Sequence, residues 1–282
     1  MTRVGCVFRP ENPPEELVAA ARTADEVGLD ELWLWEDCFL HGGLSAAAIA
    51  LANSSRLTVG VGVLPVPLRN VALVAMEIAA LERTFPGRLR IGIGHGVQDW
   101  MAQVGERVGS PLTLLREYGT ALTALLRGDS VTVDGRYVRL SDVRLQWPPT
   151  TTVELLFAAT GPRTLQLSGE LAAGTVLTGR TSPAATREAT SILGRAAAGR
   201  SHRVVSYVAC ALDDDALART RAEIGSDVDD LVVHGTPDQI AAGVRRWVDA
   251  GADTVVLQPP VGPGATDFIR TVAGRIQPLL RA

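Results

Sequence analysis

The chain has 282 residues, a length that suits one large domain with a sizeable buried core. Hydrophobic residues make up 46% of the sequence and charged residues 21%, as in ordinary globular proteins, and no apolar run is long enough to span a bilayer. The net charge of −4 leaves no basic surface for a nucleic acid. We therefore expect a small-molecule substrate and no nucleic-acid or membrane partner.

The cysteine and lysine content excludes further classes of protein. Cys6, Cys38 and Cys210 are far apart in the sequence and lack the spacing of metal ligands, so no metal site is expected. Free thiols, together with an N-terminus that shows no signal-peptide pattern, predict a cytoplasmic protein. No lysine occurs in the chain, which excludes a Schiff-base lysine, a pyridoxal-phosphate enzyme and a Walker-type phosphate loop.

Strand and helix patterns alternate along the chain. Short apolar segments predict strands at residues 4–8, 31–35, 57–64, 89–93, 155–159, 175–178, 203–210 and 254–257. Amphipathic periodicity and capping residues predict helices at 15–27, 44–53, 71–81, 112–126, 164–172, from 182 onward, 236–249 and 266–279. Eight strands, each followed by a helix, predict a (β/α)8 TIM barrel that occupies residues 1–282 as a single α/β domain. An open doubly wound sheet is the alternative, although the first strand–helix turn has no glycine fingerprint.

A β-hairpin interrupts this alternation before the fifth barrel strand. Residues 131–138 hold the pair Asp134-Gly135 between two short segments of alternating polarity. An Asp-Gly pair in that setting predicts a two-residue type I′ turn. We therefore expect a small two-stranded insertion at this point of the barrel.

The turn after the predicted strand at 155–159 contains the elements of an anion site. Gly161 stands at the N-cap position, and Pro162 has the preset backbone angle of a first helical residue. The helix that follows opens with free N–H groups and the positive end of its dipole. A phosphate bound there needs little else, although ordinary strand–helix turns of α/β proteins look the same.

In a barrel, chemistry collects at the carboxyl ends of the strands. His95 stands at the end of the fourth predicted strand, either as a ligand contact or as a loop-packing residue. Asp37 follows the second strand, either as a proton carrier or as a cap of the next helix. Cys38 beside it is either a nucleophile or a small buried filler. The glycines around His95 lack the third glycine of a dinucleotide fingerprint.

Four segments combine into a more specific pattern. They are Trp33-Leu-Trp35-Glu-Asp37, Val59-Gly-Val-Gly62-Val63-Leu64, Gly92-Ile-Gly-His-Gly96, and Ala158-Ala-Thr160-Gly161-Pro162-Arg-Thr-Leu165. With them the chain resembles, over nearly its whole length, the bacterial luciferase-like flavin and deazaflavin oxidoreductases, and among these the branch that uses coenzyme F420. The resemblance implies a TIM barrel that holds an isoalloxazine or deazaflavin ring in its mouth.

The resemblance also assigns roles to residues. It implies a cis peptide bond between Gly62 and Val63, behind the ring. Further cofactor contacts are implied for two strand ends, with Gly94, His95 and Gly96 near the ring and Ala159, Thr160, Gly161 and Pro162 at the phosphate. Where the F420 branch often has an Asp-His pair, this chain has Asp37-Cys38, and these two residues join His95 as the expected catalytic residues. The candidates for the substrate side of the pocket are Arg69, Arg180 and Gln258.

The resemblance therefore implies an F420-dependent oxidoreductase that moves a hydride between the deazaflavin C5 atom and a small organic substrate. The alternatives are an FMN-dependent monooxygenase of the same family, which would activate O₂, and a deazaflavin-binding protein without turnover. Sugar-phosphate dehydrogenases of the branch use lysines for the substrate phosphate, and this chain has none, so glucose 6-phosphate is not the expected substrate. The expected assembly is a homodimer.

Overall fold

The computed structural model describes residues 2–225 and 230–281. Its strands are, in chain order, β1 (Arg3–Phe8), β2 (Glu31–Leu34), β3 (Thr58–Pro65), β4 (Leu89–Gly94), β5 (Val131–Asp134), β6 (Arg139–Val143), β7 (Leu155–Ala158), β8 (Gly174–Leu177), β9 (Arg203–Ala211), β10 (Val232–His234) and β11 (Thr254–Gln258). The apolar segments recognised in the sequence each form a strand, because their branched and aromatic side chains pack on both faces of a buried parallel sheet.

Eight of these strands close into a parallel barrel. Their order is β1-β2-β3-β4-β7-β8-β9-β11, and β11 pairs with β1 to complete the ring. The predicted TIM barrel is therefore confirmed, and the open sheet is excluded. The short strand β10 pairs in parallel with the last residues of β9, from Ala209 to Ala211.

Bulky side chains fill the inside of the barrel below its mouth. The inner cluster consists of Val7, Trp33, Leu156, Val176, Val205, Tyr207 and Val256. Trp33 is fully buried, and its indole N–H donates to the Glu31 carboxylate at 2.9 Å. This packing closes the barrel at the amino ends of the strands, so a ligand enters from the carboxyl ends.

Helices cover the outside of the barrel. They are α1 (Leu17–Glu26), α2 (Gly43–Ala52), α3 (Val71–Thr84), α4 (Gln98–Gln103), α5 (Pro111–Leu126), α6 (Pro162–Leu171), α7 (Pro183–Ala197), α8 (Asp214–Ile224), α9 (Pro237–Val248), α10 (Ala265–Thr271) and α11 (Gln277–Arg281). A π-helical segment, Val272–Ile276, joins α10 to α11 within the last predicted helix. Within the described ranges, no helix has both the length and the apolar character that crossing a membrane requires.

Capping residues set the helix starts as the sequence indicates. At α9, the Thr236 hydroxyl accepts from the Gln239 N–H at 3.3 Å while the Gln239 side chain accepts from the Thr236 N–H at 2.8 Å, which completes the predicted capping box. Gly161 is the N-cap residue of α6, and Pro162 is its first helical residue. The strand–helix turn that the sequence predicts as an anion site therefore has the expected backbone geometry.

The predicted hairpin is present between β4 and β7, but the predicted type I′ turn is not formed. β5 and β6 pair in antiparallel fashion and are joined by the four residues 135–138. Gly135 does not adopt the positive φ angle that a type I′ turn demands. The reason is the Glu117 carboxylate of α5, which accepts the N–H groups of Arg136, Tyr137 and Val138 at 3.0, 2.9 and 3.0 Å and stabilises a wider loop.

Candidate active site at the barrel mouth

A cavity of about 380 Å³ opens at the carboxyl ends of the barrel strands, and we refer to it as the main cavity. Seven barrel strands and the segments that follow them contribute residues to its lining. They are Trp35, Glu36, Asp37, Gly62, Val63, Pro65, Gly94, His95, Gly96, Val97, Trp100, Ala158, Ala159, Thr160, Thr164, Val176, Thr178, Gly179, Tyr207 and Gln258. Apolar and aromatic side chains dominate, and a few polar groups converge between them, as in small-molecule sites generally.

Glycines and Val63 form one side of the main cavity. The Gly62–Val63 peptide bond is cis, as the resemblance implies, and a second non-prolyl cis bond joins Cys38 to Phe39. The pairing of β3 with β4 shifts register between Val61 and Leu64, which marks a bulge. A Cβ atom at Gly62 would lie 2.1 Å from the Tyr207 hydroxyl oxygen, so this position accepts no side chain.

Aromatic rings form another side. The Trp35 and Tyr207 ring centroids are 5.6 Å apart with an interplanar angle of 80°, an edge-to-face arrangement. The Tyr207 hydroxyl donates to the Gly62 carbonyl oxygen at 3.3 Å. Burial raises the pKa of Tyr207, so its hydroxyl keeps its proton across the physiological range. Behind Trp35, the Arg9 guanidinium lies 5.5 Å from the indole centroid.

His95 provides a polar group with unused hydrogen-bonding capacity. Its imidazole lines the main cavity and is half-buried, and its Nε2 atom is buried without a hydrogen-bond partner among the described residues. Burial lowers the pKa of His95, so the ring is neutral at physiological pH. A buried polar atom without a partner is costly unless a ligand or water completes its bonding.

Asp37 provides the second polar group of the main cavity. Burial raises the pKa of its carboxyl, the Glu11 carboxylate raises it further, and Arg9 acts in the opposite direction. A carboxyl group shifted in this way retains a proton at a higher pH than an ordinary aspartic acid. Asp37 and His95 thus line the same cavity. The Asp37 carboxyl can hold a proton, and the neutral His95 ring offers an unpartnered nitrogen.

A second depression adjoins the main cavity, and we name it the vestibule. It shares Glu36 and Asp37 with the main cavity and continues along the loop after β2, lined by Glu36, Asp37, Cys38, Phe39, Leu40, His41, Gly42, Leu68 and Arg69. The Glu36 carboxylate is buried, and both terminal nitrogens of Arg69 donate to it. The same carboxylate accepts the N–H of Gly43 at the start of α2. This ion pair forms the boundary between the vestibule and the barrel.

The start of α6 lies on the far side of the main cavity. No side chain caps this helix, and Pro162 has no N–H. The Thr164 and Leu165 N–H groups both donate to the Gly161 carbonyl oxygen, at 3.0 and 2.9 Å. A Cβ atom at Gly161 would meet no atom within 4 Å, so the backbone of this turn is open to an approaching group.

The structure brings most of the predicted site residues to one place. The predicted residues that line the main cavity are Asp37, Gly62, Val63, Gly94, His95, Gly96, Ala159, Thr160 and Gln258. Gly161 and Pro162 lie just beyond Thr160, at the exposed start of α6. Cys38 lines the vestibule, where Arg69 is paired with Glu36, and Arg180 is exposed and donates to the Glu223 carbonyl oxygen at 3.4 Å. The roles proposed for these residues stay predictions.

Sequence reasoning did not single out Tyr207 and Trp100, two of the three aromatic residues that line the main cavity. Tyr207 lies on β9, where the alternation of inward and outward residues could have placed it inside the barrel. Trp100 lies on α4, a six-residue helix with one buried residue, Met101, and therefore almost no periodic signal. Thr178 and Gly179 follow β8 and line the cavity beside the start of α6.

A closed parallel barrel with a largely apolar cavity at the carboxyl ends of its strands defines an α/β-barrel protein that binds a small molecule at its mouth. The chain belongs to the luciferase-like monooxygenase family, whose sequence profile matches residues 2–227.

Individual relatives are similar over nearly their whole length. The chain is 25% identical to the 5,10-methylenetetrahydromethanopterin reductase of Methanolobus tindarius, covering 96% of this chain and 98% of that protein. It is 29% identical to the F420-dependent glucose-6-phosphate dehydrogenase of Kineococcus radiotolerans, covering 95% and 94%. The solved structure of an F420-dependent secondary alcohol dehydrogenase, in complex with an F420–acetone adduct, superposes with a TM-score of 0.90 at 18% identity and covers 100% of this chain and 99% of that one.

Proposed function

We propose that this protein is an F420-dependent oxidoreductase that transfers a hydride between the deazaflavin C5 atom and a small organic substrate. The observation that carries the proposal is that three features meet at the main cavity. They are the glycines of β3 and β4, the neutral His95 with its unpartnered Nε2 atom, and the start of α6, which no side chain caps. The Kineococcus relative and the secondary alcohol dehydrogenase are both named as F420-dependent enzymes, which supports the same cofactor here.

The residues present fit a flat ring system that carries a phosphate. Gly62, Val63 and Gly94 line the main cavity from β3 and β4, and a flat, largely apolar ring would pack against them. The unpartnered Nε2 of His95 would gain a hydrogen bond from the polar edge of such a ring. The start of α6 would hold the phosphate, because the positive end of the helix dipole favours an anion and the backbone at Gly161 is open.

When bound, the deazaflavin would supply hydride chemistry at C5. The chain's own contribution is to orient the ring, to exclude water with the Trp35, Trp100 and Tyr207 side chains, and to carry a proton. We assign the proton to an Asp37 carboxylate oxygen, because that carboxyl lines the main cavity and has a raised pKa. Burial and the Glu36 and Asp37 carboxylates raise the pKa of Cys38, so its thiol is not activated as a nucleophile.

An FMN-dependent monooxygenase is the second candidate function. The matching family is described as luciferase-like monooxygenases, and an isoalloxazine ring has nearly the same outline as a deazaflavin ring. The cofactor preference therefore decides between the two functions, and it can be measured directly.

We also propose that the protein works as a homodimer in the cytoplasm. Three exposed apolar side chains lie on the adjacent helices α2 and α3, Ile49 being 41%, Leu73 48% and Met76 59% exposed. A second copy of the chain would cover them. The three free cysteines support a reducing compartment.

The proposed function is tested by titrating F420 and FMN into the protein and following fluorescence. We expect micromolar or tighter binding of F420 and much weaker binding of FMN. A Gly161→Val variant should weaken F420 binding by about 10-fold, because its branched side chain occupies the open space beside the helix start, where an anion gains on the order of 1–2 kcal/mol.

The matched control is Gly194→Val, which places the same side chain at another open glycine position, on α7. It should bind F420 as the wild type does. Equal F420 affinity in the wild type and in Gly161→Val would remove the phosphate site from this turn. Tighter binding of FMN than of F420 would assign the protein to the monooxygenases.

A further inference from the structure

We propose that the substrate is an uncharged organic molecule with an apolar body, and that the site selects against carboxylated and phosphorylated compounds. The inference rests on the proposed function, because it places the deazaflavin in the main cavity and the substrate at its vestibule end. The argument depends on where the positive charges lie around the barrel mouth and on how each of them is neutralised.

No arginine is among the described residues that line the main cavity. Its ionisable side chains are Glu36, Asp37, His95 and Tyr207, and burial keeps His95 neutral and Tyr207 protonated. A buried anion is stable only when positive or hydrogen-bond-donating groups replace its hydration. On the β2 side of the main cavity, an anion would meet the carboxyl groups of Glu36 and Asp37 and no positively charged lining residue.

Two guanidinium groups on this side, those of Arg69 and Arg9, are already paired. Arg69 lines the vestibule, but its two terminal nitrogens donate to the buried Glu36 carboxylate. Arg9 is 8% exposed and donates to Glu11 at 2.7 Å, to Glu223 at 2.8 Å and to the Pro259 carbonyl oxygen at 3.2 Å. A substrate anion would have to displace a carboxylate from either arginine, and that exchange leaves the carboxylate unpaired.

The available positive charge lies across the barrel. Arg163 and Arg180 are exposed and follow the ends of β7 and β8. In the strand order of the barrel, β8 is four strands from β2 in either direction, which places it diametrically opposite. Arg163 and the helix start therefore lie where the cofactor phosphate is proposed, across the barrel from the vestibule beyond β2. The Arg180 guanidinium reaches instead towards Glu223, the residue that also binds Arg9.

Part of the vestibule wall is apolar. Phe39 and Leu40 line it and are 63% and 52% exposed, an unusual state for two consecutive large apolar side chains. Leu68 faces the same depression from the segment after β3. His41 is the remaining basic side chain there, and its ring packs against Phe8 with centroids 6.1 Å apart. An apolar substrate body would cover Phe39 and Leu40 and would require no counter-charge.

The test compares neutral and anionic forms of the same carbon skeleton on the F420-loaded protein. The probes are methyl 3-oxocyclohexanecarboxylate with its free acid, and methyl levulinate with levulinate. Calorimetry gives the affinity of each probe, and the absorbance of F420 follows turnover. The assays are run at about pH 8, where both carboxylic acid probes are fully ionised.

We expect the esters to bind and the acids to bind at least about 100-fold more weakly, as an uncompensated buried charge requires. A Glu36→Gln variant removes the carboxylate that pairs with Arg69. It should reduce the ratio of ester affinity to acid affinity by about 10-fold. Glu170→Gln removes one carboxylate from an exposed ion pair with Arg116 on the helical layer, and it should leave this ratio unchanged.

Wild-type affinities within about threefold for ester and acid would overturn the inference, since a charge-selective site cannot be that tolerant. Failure of both esters to bind to the F420-loaded protein would overturn it as well. In both of these cases F420 binding, measured first, leaves the proposed function standing. Failure of the protein to bind F420 would overturn the proposed function and, with it, this inference.

Discussion

The Asp37 carboxyl is subject to opposing influences at the barrel mouth. Burial and the Glu11 carboxylate favour its protonated form, and Arg9 favours its charged form. Arg9 is itself held by Glu11 and Glu223, at 2.7 and 2.8 Å, which limits the stabilisation it gives to a third carboxylate. The result is a group beside the main cavity that holds its proton to a higher pH than an ordinary aspartic acid does.

We expect Asp37→Asn to lower kcat by about 100-fold with little change in F420 affinity, because general-acid catalysis is worth that much and the amide cannot give up a proton. The raised pKa sets the sign of the pH dependence. If Asp37 donates the proton, the wild-type rate falls as pH rises through its raised pKa. Steady-state rates measured against pH in the direction of substrate reduction should show this decline, and the variant should lose it. A variant that keeps the wild-type rate and the same decline would assign the proton to another group.

Single glycines decide how closely the elements pack. On α5, a Cβ atom at Gly119 would lie 2.3 Å from the Phe157 ring on β7, and Phe157 is buried. The helix therefore approaches the barrel at this point because position 119 has no side chain. On α7, a Cβ atom at Gly194 would meet nothing within 4 Å.

These two positions give a matched pair of substitutions. Alanine favours a helix by about 0.5–1 kcal/mol over glycine, so Gly194→Ala should raise the free energy of unfolding by roughly that amount. Gly119→Ala should lower it by about 1–3 kcal/mol, because overpacking against the ring exceeds the gain in helix propensity. Urea unfolding followed by circular dichroism measures both values. Stabilisation by both variants would mean that α5 can move away from the barrel at little cost.

The elements also show what the sequence can and cannot predict. The eight barrel strands are evident as apolar segments because both faces of a parallel sheet are buried. The helix α8 was not predicted, since its buried residues are only Ala216, Leu217 and Thr220 and its surface is highly charged. The hairpin turn was mispredicted because the Glu117 carboxylate, 18 residues before Gly135 in the sequence, determines its conformation. Local patterns carry no information on such a distant partner.

The same limit applies to the site. Asp37, His95 and Thr160 are recognisable because they stand directly at strand ends, where the barrel fold collects its ligand contacts. The pairing of Arg69 with Glu36 joins residues from two different strand–helix connections, and no spacing in the sequence announces it. Whether the positive charge of Arg69 is available to a substrate therefore depends on its partner in the folded chain and cannot be predicted from the sequence.

At the scale of the whole molecule, the outer helices α2 and α3 leave apolar surface in water. The exposed side chains of Leu73 and Met76 lie three residues apart on α3, so they share one face of that helix. Exposure of such a face to water is unfavourable. Burying each large apolar side chain in an interface would stabilise the assembly by about 1.5–3 kcal/mol.

We therefore expect light scattering after size-exclusion chromatography to give twice the chain mass at micromolar concentration. Met76→Glu should yield the mass of one chain, because an unpaired carboxylate at a closed interface is costly. Val27→Glu places the same charge on an apolar residue that is 37% exposed at the end of α1, and it should leave the mass unchanged. A monomeric wild type would exclude the homodimer.

The contacts around Val63 constrain the order in which this barrel mouth can change during evolution. A Cβ atom at Gly92 would lie 2.5 Å from one Val63 methyl carbon, and a Cβ atom at Gly94 would lie 2.9 Å from the other. Alanine at either glycine is therefore blocked for as long as valine stands at 63. Trimming residue 63 first removes the shortest contact at both positions and leaves tight ones, 3.1 Å to the Val61 carbonyl oxygen from position 92 and 3.2 Å to the Ala158 Cβ atom from position 94. Val63, Gly92 and Gly94 form one epistatic unit, and a lineage that reshapes this wall has to pass through position 63 before it reaches its neighbours.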